Sequence, residues 1–162
     1  MQIRRATSSD FLTIQALAHQ IWPTAYAEIL SQKQLQYMLD LFYTPDALSL
    51  QQSNGQQFYL LEVEGTTIGF AALEFDAKPR QAKLHKLYLQ TALQNQGYGK
   101  FFMEFCMQQA KEAGQLQFIL NVNRFNKAIQ FYRKIGFEIT DTVDIAIGNG
   151  YFMEDYIMEI NL

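Results

Sequence analysis

The first part of the chain carries apolar residues at helical spacing. Hydrophobic side chains three and four residues apart occur at Phe11, Ile14, Leu17, Ala18 and Ile21. This spacing predicts an amphipathic helix, which Thr7 and Asp10 should begin as a capping box, after a short strand at residues 3–6. Pro23 predicts that the helix ends before it, because the residue preceding a proline disfavours helical geometry. The uneven pattern over residues 23–50 predicts one or two further short helices.

Strands are predicted from the middle of the chain onward. Apolar or alternating segments lie at residues 58–63, 67–75, 82–90, 116–122, 137–140 and 156–160. Turn residues at Asn54-Gly55 and Glu64-Gly65 predict that the first two of these strands form a hairpin. In the strand at 82–90, the residues expected on one face are Leu84, Lys86, Tyr88 and Gln90, opposite His85, Leu87 and Leu89.

Two helices are predicted in the second half. The apolar series of the first is Phe102, Phe105, Cys106, Gln109, Ala110 and Ala113. Gly114 should end that helix. Asn126 should cap the second helix at residues 128–135, which Gly136 closes. The order of elements predicts one α/β domain over residues 1–162, with a mixed sheet covered by helices on both faces.

Charge and cysteine content exclude several kinds of partner and site. The formal net charge is -3, so the chain lacks the basic field that binds nucleic acid. Cys106 is the only cysteine, which excludes an internal disulfide and a multi-cysteine metal site. We expect no metal. No segment approaches the roughly 18 apolar residues of a membrane span, so we expect a cytoplasmic protein without a membrane partner.

A glycine-bearing turn between a predicted strand and a helix is the first candidate for chemistry. Residues 94–100 would offer backbone N–H groups and the positive end of a helix dipole to a phosphate. Gly97 and Gly99 leave the backbone accessible. A plain strand-to-helix turn is an equal alternative from this motif alone. A P-loop is excluded because Phe101 follows Gly99-Lys100, and a dinucleotide fold would need three spaced glycines.

Two ordered motifs follow the strands at residues 82–90 and 116–122. The motifs are Gln94-x-x-Gly97-x-Gly99, then Asn126-Lys127-Ala128 with Phe131-Tyr132 and Ile135-Gly136-Phe137. Together they resemble the GCN5-related N-acetyltransferase (GNAT) superfamily. The first is similar to that family's acetyl-CoA pyrophosphate loop, and the second to its helix with a tyrosine facing the thiolate. Gln94 stands where many relatives have arginine, and Lys100 would supply part of the missing charge.

The resemblance implies a mostly antiparallel sheet of about six to seven strands with a splayed cleft for acetyl-CoA. It implies acetyl transfer to a primary amine, either a small molecule such as a polyamine or a protein amine, and a possible homodimer. Residues 23–43 and 148–156 are similar to bacterial spermine/spermidine acetyltransferases. The implied cofactor contacts are Leu87, Tyr88, Leu89, Gln94, Asn95, Gln96, Gly97, Tyr98, Gly99, Lys100, Asn121, Asn126 and Tyr132.

Three side chains are candidate catalytic residues by the same resemblance. Tyr132 would protonate the departing thiolate, and Glu74, His85 or a water would take the amine proton. Without the resemblance, a tyrosine on an aromatic helix face is more typical of core packing. His85 is equally compatible with an ordinary strand position, Glu74 with a solvated strand end, and Asn126 with both a helix cap and a cofactor contact.

Other residues have less specific interpretations. Cys106 is expected to fill the core rather than act as a nucleophile. Glu154 and Asp155 would attract a polyamine, although an exposed acidic turn is the simpler interpretation. Acceptor-pocket or ordinary helix-packing roles are open for Tyr26, Tyr37, Phe42 and Tyr43. The rival functions are a non-catalytic acyl-CoA-binding or sensor module and a structural subunit on the same fold.

Overall fold

The computed structural model describes residues 1–162 and contains seven strands and five α-helices. The strands are β1 (Gln2–Arg5), β2 (Gln57–Val63), β3 (Thr66–Lys78), β4 (Gln81–Leu89), β5 (Gln117–Asn123), β6 (Glu138–Gly148) and β7 (Tyr151–Asn161). The helices are α1 (Phe11–Ala25), α2 (Gln32–Phe42), α3 (Pro45–Ser53), α4 (Tyr98–Glu112) and α5 (Ala128–Ile135). None of these helices has the length and apolar character needed to cross a membrane.

All strands join one sheet in the order β1-β2-β3-β4-β5-β7-β6. Neighbours are antiparallel except β4 and β5, which run parallel. The β4–β5 register extends from Gln81↔Gln117 to Leu84↔Leu120 and stops there, although both strands continue. The two strands therefore separate toward their C-terminal ends. This confirms the predicted fold class, a mostly antiparallel mixed sheet with a splayed cleft.

Helices cover both faces of the sheet, as predicted. Side chains of β2 alternate between the two faces. Tyr59 and Leu61 belong to the core that includes residues of α4 and α5. Phe58 and Leu60 belong to the core that includes residues of α1, α2 and α3. Continuous apolar character in β2 thus reflects burial on both sides.

Helix α1 continues past Pro23, so the predicted end before this residue is wrong. The helix ends at Ala25, and Tyr26 N–H donates to the Trp22 carbonyl at 2.9 Å. A proline inside a helix removes one backbone hydrogen bond and costs about 3 kcal/mol. Ile21 and Trp22 are both buried in the core beneath α1, and this packing holds the final turn. The region that follows contains two helices, α2 and α3, as predicted.

A bulge in β4 makes the predicted alternation of this strand wrong. The register with β3 skips one residue, so that His85 has no partner. Leu84 and Leu87 consequently pack in the core on the α4–α5 side, while Lys86 and Tyr88 face α1–α3. A bulge inserts one residue and shifts every following side chain to the other face. Sequence periodicity does not reveal it, because Leu84 and Tyr88 are both apolar in the assumed register.

Strands β6 and β7 are much longer than predicted. Each has 11 residues, and they are joined at Asn149-Gly150, where both residues have positive φ, as a type I′ hairpin turn requires. Most of β6 is exposed at the edge of the sheet, so it lacks a strong apolar pattern. Asp155 lies within β7 and is only 6% exposed. The exposed acidic turn expected at Glu154 and Asp155 is therefore wrong, because pairing of β7 with β5 and β6 covers Asp155.

Asp10 ties the start of α1 to strand β1. Its carboxylate accepts a hydrogen bond from the Thr7 backbone N–H at 2.8 Å, which confirms the predicted capping box. The Arg4 guanidinium donates to both carboxylate oxygens, at 2.8 and 3.0 Å. The hydrogen bond from Arg4 is the main cause that lowers the pKa of Asp10 from 3.8 to about 2.

We expect Asp10→Asn to reduce the free energy of unfolding at neutral pH by about 1 kcal/mol, because it weakens both the cap and the pair with Arg4. A carboxyl with a lowered folded-state pKa stabilises the fold above its unfolded pKa, and this contribution is lost on acidification. The difference from wild type should therefore shrink as the pH falls from 3.8 to about 2. Urea unfolding at several pH values measures this difference in the free energy of unfolding. Equal losses in Asp10→Asn and the exposed control Asp40→Asn would contradict the assignment.

Candidate active site

The part of β4 beyond its pairing with β5 forms one side of the cleft. Here β4 pairs only with β3. Gln90 N–H donates to the Ile68 carbonyl at 2.9 Å, and successive residues of an antiparallel pair direct their backbone groups to opposite sides. By this alternation the backbone groups of Leu87 and Leu89 turn toward the cleft, whereas those of Tyr88 turn toward β3. The cleft edge thus offers unpaired backbone donors and acceptors to an extended ligand.

A cavity of about 400 Å³ lies beside this edge and extends toward α1, α2 and α3. Its size is within the range of roughly 300 to 1,000 Å³ found for small-molecule sites. The predicted site residues that line it are His85, Leu87, Tyr88, Leu89, Gln94, Asn121, Asn126 and Tyr132. The structure therefore brings these residues, distant in sequence, to one place. Glu74 and residues 95–100 do not line this cavity.

The predicted phosphate turn carries a row of unpaired backbone donors. Gly97 precedes α4 with φ of +85°, and Phe101 N–H donates to its carbonyl at 3.0 Å as the first helical bond. The backbone N–H groups of residues 95–100 donate to no protein atom. A Cβ at Gly97 would meet no atom within 4 Å. Because the helix dipole adds positive potential at this end of α4, the turn fits an anionic group.

The side chains of Gln94 and Lys100, at the two ends of the turn, lie in different surroundings. Gln94 lines the cavity. Lys100 lies 3.7 Å from Glu104, one helical turn further along α4, and both side chains are largely exposed. The positive potential at the turn therefore comes mainly from backbone N–H groups and the helix dipole.

The Asn126 side chain binds the N-terminus of α5, although the N-cap residue is Lys127 and not Asn126 as predicted. Its Oδ1 accepts a hydrogen bond from the Ala128 backbone N–H at 2.8 Å. Because this bond fixes the orientation of the carboxamide, the Nδ2 group is left as a donor beside the cavity. On the facing strand, Asn121 Nδ2 lies 3.5 Å from an oxygen of Asp155. Burial raises the pKa of the Asp155 carboxyl.

Tyr132 projects from α5 into the wall of the cavity. Its ring contacts Phe131 and Phe137, with centroid distances of 5.3 and 5.9 Å. Burial raises the pKa of the Tyr132 hydroxyl above its ordinary value of 10.0. The phenol is therefore protonated at neutral pH and available as a hydrogen-bond and proton donor.

His85 and Glu74 form a pair at the β4 bulge. His85 Nε2 lies 2.7 Å from Glu74 Oε2. Burial, helped by the positive charges of Lys83 and Lys86, lowers the pKa of His85 to about 4, although the hydrogen bond to Glu74 opposes this. A carboxylate can only accept, so the neutral imidazole carries its hydrogen on Nε2 and leaves a lone pair on Nδ1. His85 lines the cavity, whereas Glu74 stands behind it.

Aromatic residues of α1 and α2 supply much of the opposite wall. Tyr26, Phe42 and Tyr43 line the cavity, and the Tyr26 and Tyr88 hydroxyls are 2.9 Å apart. Tyr37 instead donates to the Ile147 carbonyl at 2.6 Å, which joins α2 to the β6–β7 hairpin. Of the four aromatic candidates, Tyr37 is the one whose role in the structure is packing between elements.

Sequence analysis assigned no role in the site to two buried cavity residues, Lys86 and Trp22. Lys86 is 8% exposed and Trp22 is 4% exposed. Asp155, interpreted above as an exposed turn, is the third residue of this kind. No sequence signal separates Lys86 from Lys83 or Asp155 from Glu154, because each strand carries more than one charged residue. No sequence signal distinguishes Trp22 from an ordinary core residue.

Cys106 is fully buried in the core on the α4–α5 side, as predicted. Burial raises the pKa of its thiol, so it remains a thiol and is a poor nucleophile. It does not line the cavity. No group of three or more histidine, cysteine, aspartate or glutamate side chains is arranged to hold a metal ion.

Comparison with known families and sequences relates the cleft to acetyl transfer. A family model described as Acetyltransferase (GNAT) domain matches residues 54–139. This match includes β4, the glycine turn and Tyr132. Spermidine N(1)-acetyltransferase of Thermoplasma acidophilum is 29% identical over 160 residues, which cover 95% of this chain and 96% of that protein.

Solved structures share the same arrangement of elements. A crystal structure of PaiA N-acetyltransferase from Thermoplasma acidophilum, in complex with coenzyme A, has a TM-score of 0.84 and 28% identity, covering 99% of this chain and 98% of that chain. A GCN5-related N-acetyltransferase from Rhodopseudomonas palustris has a TM-score of 0.84 at 17% identity, with 99% and 95% covered. The second similarity concerns the fold alone.

Proposed function

Because the chain belongs to the GNAT family of acetyltransferases, we propose that it transfers the acetyl group of acetyl-CoA to a primary amine. The observation that carries the proposal is the placement of three features around one cleft. These are the unpaired edge of β4, the turn with free N–H groups, and the protonated Tyr132. An extended amide arm, a pyrophosphate and a thiolate would each find a suitable partner there.

In this proposal, backbone groups make most of the contacts with the cosubstrate. The Leu87 C=O and the Leu89 N–H and C=O groups face the amide-bearing pantetheine arm. The N–H groups of residues 95–100 bind the pyrophosphate, and Asn126 Nδ2 donates to the arm between them. This division fits a chain in which Gln94 replaces a charged residue, since neutral donors and a helix dipole stabilise the phosphate charge.

Tyr132 is proposed as the general acid. Acetyl-CoA supplies a thioester, whose thiolate is a fair leaving group. Leu87 N–H donates to the carbonyl oxygen as negative charge develops there. Tyr132 transfers its hydroxyl proton to the departing sulfur. Tyr132 carries this proton at neutral pH, because burial raises rather than lowers the pKa of its hydroxyl.

His85 is proposed as the general base, with Glu74 as its positioning residue. The lowered pKa of His85 keeps it neutral at neutral pH, so Nδ1 can take a proton from the attacking amine, directly or through a water. Glu74 fixes the tautomer and stabilises the imidazolium after the transfer. Asp155 attracts the ammonium form of the acceptor into the cavity, where it loses one proton to solvent and becomes the neutral nucleophile. The second proton, which His85 takes from the nitrogen after attack, returns through water to the Tyr132 phenolate, so that both residues end in their starting forms.

An amine panel with acetyl-CoA tests the proposal. We expect thiol release that depends on both enzyme and amine, and spermidine belongs in the panel because a relative carries its name. Calorimetry with acetyl-CoA runs in parallel. Tight cofactor binding without amine-dependent thiol release would favour the sensor module, and absence of binding would favour the structural subunit. Either result would contradict the proposed function.

A further inference from the structure

Lys86 is a buried cation in the cavity wall. Its Nζ donates to Gln51 Oε1 at 2.7 Å and to Gln56 Oε1 at 3.4 Å. The same Nζ lies 5.6 Å from the centre of the Tyr43 ring and 5.8 Å from that of Phe58. All of these partners are neutral. The protein therefore holds the ammonium group in place without supplying a counter-charge.

A buried charge without a counter-charge is unfavourable unless a ligand supplies the opposite charge. Amide oxygens and aromatic faces stabilise an ammonium group only in part, and an interior position strongly disfavours the charged form. Burial lowers the pKa of Lys86 to about 7, and no acidic neighbour raises it. A carboxylate placed against Nζ would supply the missing charge.

Trp22 provides a second unsatisfied donor in the cavity wall. Its indole Nε1–H is buried and has no hydrogen-bond partner, and the residue lines the cavity. The ring centre of Trp22 lies 5.4 Å from that of Tyr43, the ring that Lys86 also approaches. Because a buried donor without an acceptor costs stability, a ligand oxygen would be favoured here. We call Lys86, Trp22 and Tyr43 the donor corner.

The cavity also contains one buried carboxylate, which is not paired with the donor corner. Asp155 accepts a hydrogen bond from Asn121, and the cations that act on it are Lys83 and Arg124. Lys86 is not among these cations, and no acid acts on Lys86. The cavity thus contains one amino group and one carboxyl group that are not paired with each other.

We infer that the acceptor is an amino acid or a similar amine with a carboxylate, which the donor corner binds while the amine lies toward Asp155. This inference rests on the proposed function. One carboxylate can accept from both the Lys86 ammonium and the Trp22 N–H, because its two oxygens have several lone pairs. A polyamine would instead bring additional positive charge toward Lys86, which is repulsive.

Matched substrates test the inference directly. Suitable pairs are lysine with cadaverine, phenylalanine with phenethylamine, and gamma-aminobutyrate with propylamine, since each second member lacks only the carboxylate. Hydrogen bonds to charged groups are worth about tenfold to a hundredfold in binding. We expect kcat/KM to favour the best carboxylate-bearing amine over its partner by about that factor.

Lys86→Met removes the ammonium group and retains an apolar side chain of similar length that packs in its place. Replacing a buried charge with an apolar side chain of similar length is often tolerated by the fold. The variant should lose the preference for the carboxylate through a higher KM, with acetyl-CoA affinity unchanged. Lys78→Met is the matched control, because Lys78 is exposed, does not line the cavity and is not among the charges that act on His85 or Asp155. Trp22→Phe should weaken the same preference by about fivefold.

Fluorescence gives a second readout that does not require turnover. Trp22 is the only tryptophan of the chain, so a ligand in the donor corner should change its emission. Quenching by the carboxylate member of a pair, lost in Lys86→Met, supports the inference even if no tested amine is acetylated. Acetylation of spermidine or the decarboxylated amines, with Lys86→Met unchanged, would overturn the inference and leave the proposed function standing. If neither the quenching nor the turnover depends on the carboxylate, the inference is overturned as well.

Discussion

Gly97→Glu is expected to abolish acetyl-CoA binding while the protein remains folded. Gly97 lies within the turn at residues 94–100, where the N–H groups of residues 95–100 have no protein partner, so a side chain there enters the proposed pyrophosphate site. A like-charge pair about 4 Å apart near a protein surface repels by about 4 kcal/mol, which is more than a hundredfold in affinity. The left-handed φ of +85° adds strain of about 1 to 2 kcal/mol, which is less than typical total stability.

Two control variants separate charge from strain in this experiment. Gly65→Glu places the same side chain at φ of +79° in the β2–β3 turn, with no atom within 4 Å of its Cβ. It should lose similar stability and keep full cofactor affinity. Gly97→Gln has the shape of the glutamate without its charge and should bind at intermediate affinity. Calorimetric affinity of folded Gly97→Glu equal to that of Gly65→Glu would refute the loop assignment.

Tyr132→Phe is expected to lower kcat by about 10²-fold, the lower end of the range for general-acid catalysis. The substitution keeps the ring and its contacts with Phe131 and Phe137 and removes only the hydroxyl. The loss should stay at the lower end because a CoA thiolate leaves readily without full protonation. Acetyl-CoA affinity should change little, since the hydroxyl acts in the transition state.

Steady-state kinetics and calorimetry distinguish this role from packing. Tyr59→Phe is the control, because Tyr59 is buried outside the cavity and its hydroxyl contacts Gln57. That variant should retain its kcat. If Tyr132→Phe keeps kcat within about threefold of wild type across neutral pH, the residue belongs only to the core, since general acids are worth much more.

Local sequence patterns predicted most of the order of elements, and the resemblance to GNAT proteins predicted the cleft. The capping box at Asp10, the β2–β3 hairpin and the turn at Gly97 all follow from short-range backbone preferences. Such preferences act through neighbours in sequence, so periodicity and turn residues report them. The resemblance to GNAT proteins rests on the same local motifs, and the fold agrees with it.

Features set by tertiary contacts were not predictable in this way. Helix α1 continues through Pro23 because the buried Trp22 holds its last turn, an effect that propensity omits. The β4 bulge at His85 depends on pairing with β3. Burial of Asp155 depends on β5 and β6 lying on either side of β7. The Asn149-Gly150 pair is typical of a hairpin turn, so the β6–β7 hairpin is a local feature of the sequence that the predicted strands at 137–140 and 156–160 did not include.

The central claim is that this chain moves an acetyl group from acetyl-CoA to the nitrogen of an amine. The most direct test is to incubate the enzyme with acetyl-CoA labelled in its acetyl group, together with the amine that releases most thiol, and to examine the products by mass spectrometry. The account predicts one labelled acetyl group on the amine nitrogen for each CoA released, and about a hundredfold slower product formation with Tyr132→Phe. Thiol release with free labelled acetate and no acetylated amine would contradict it.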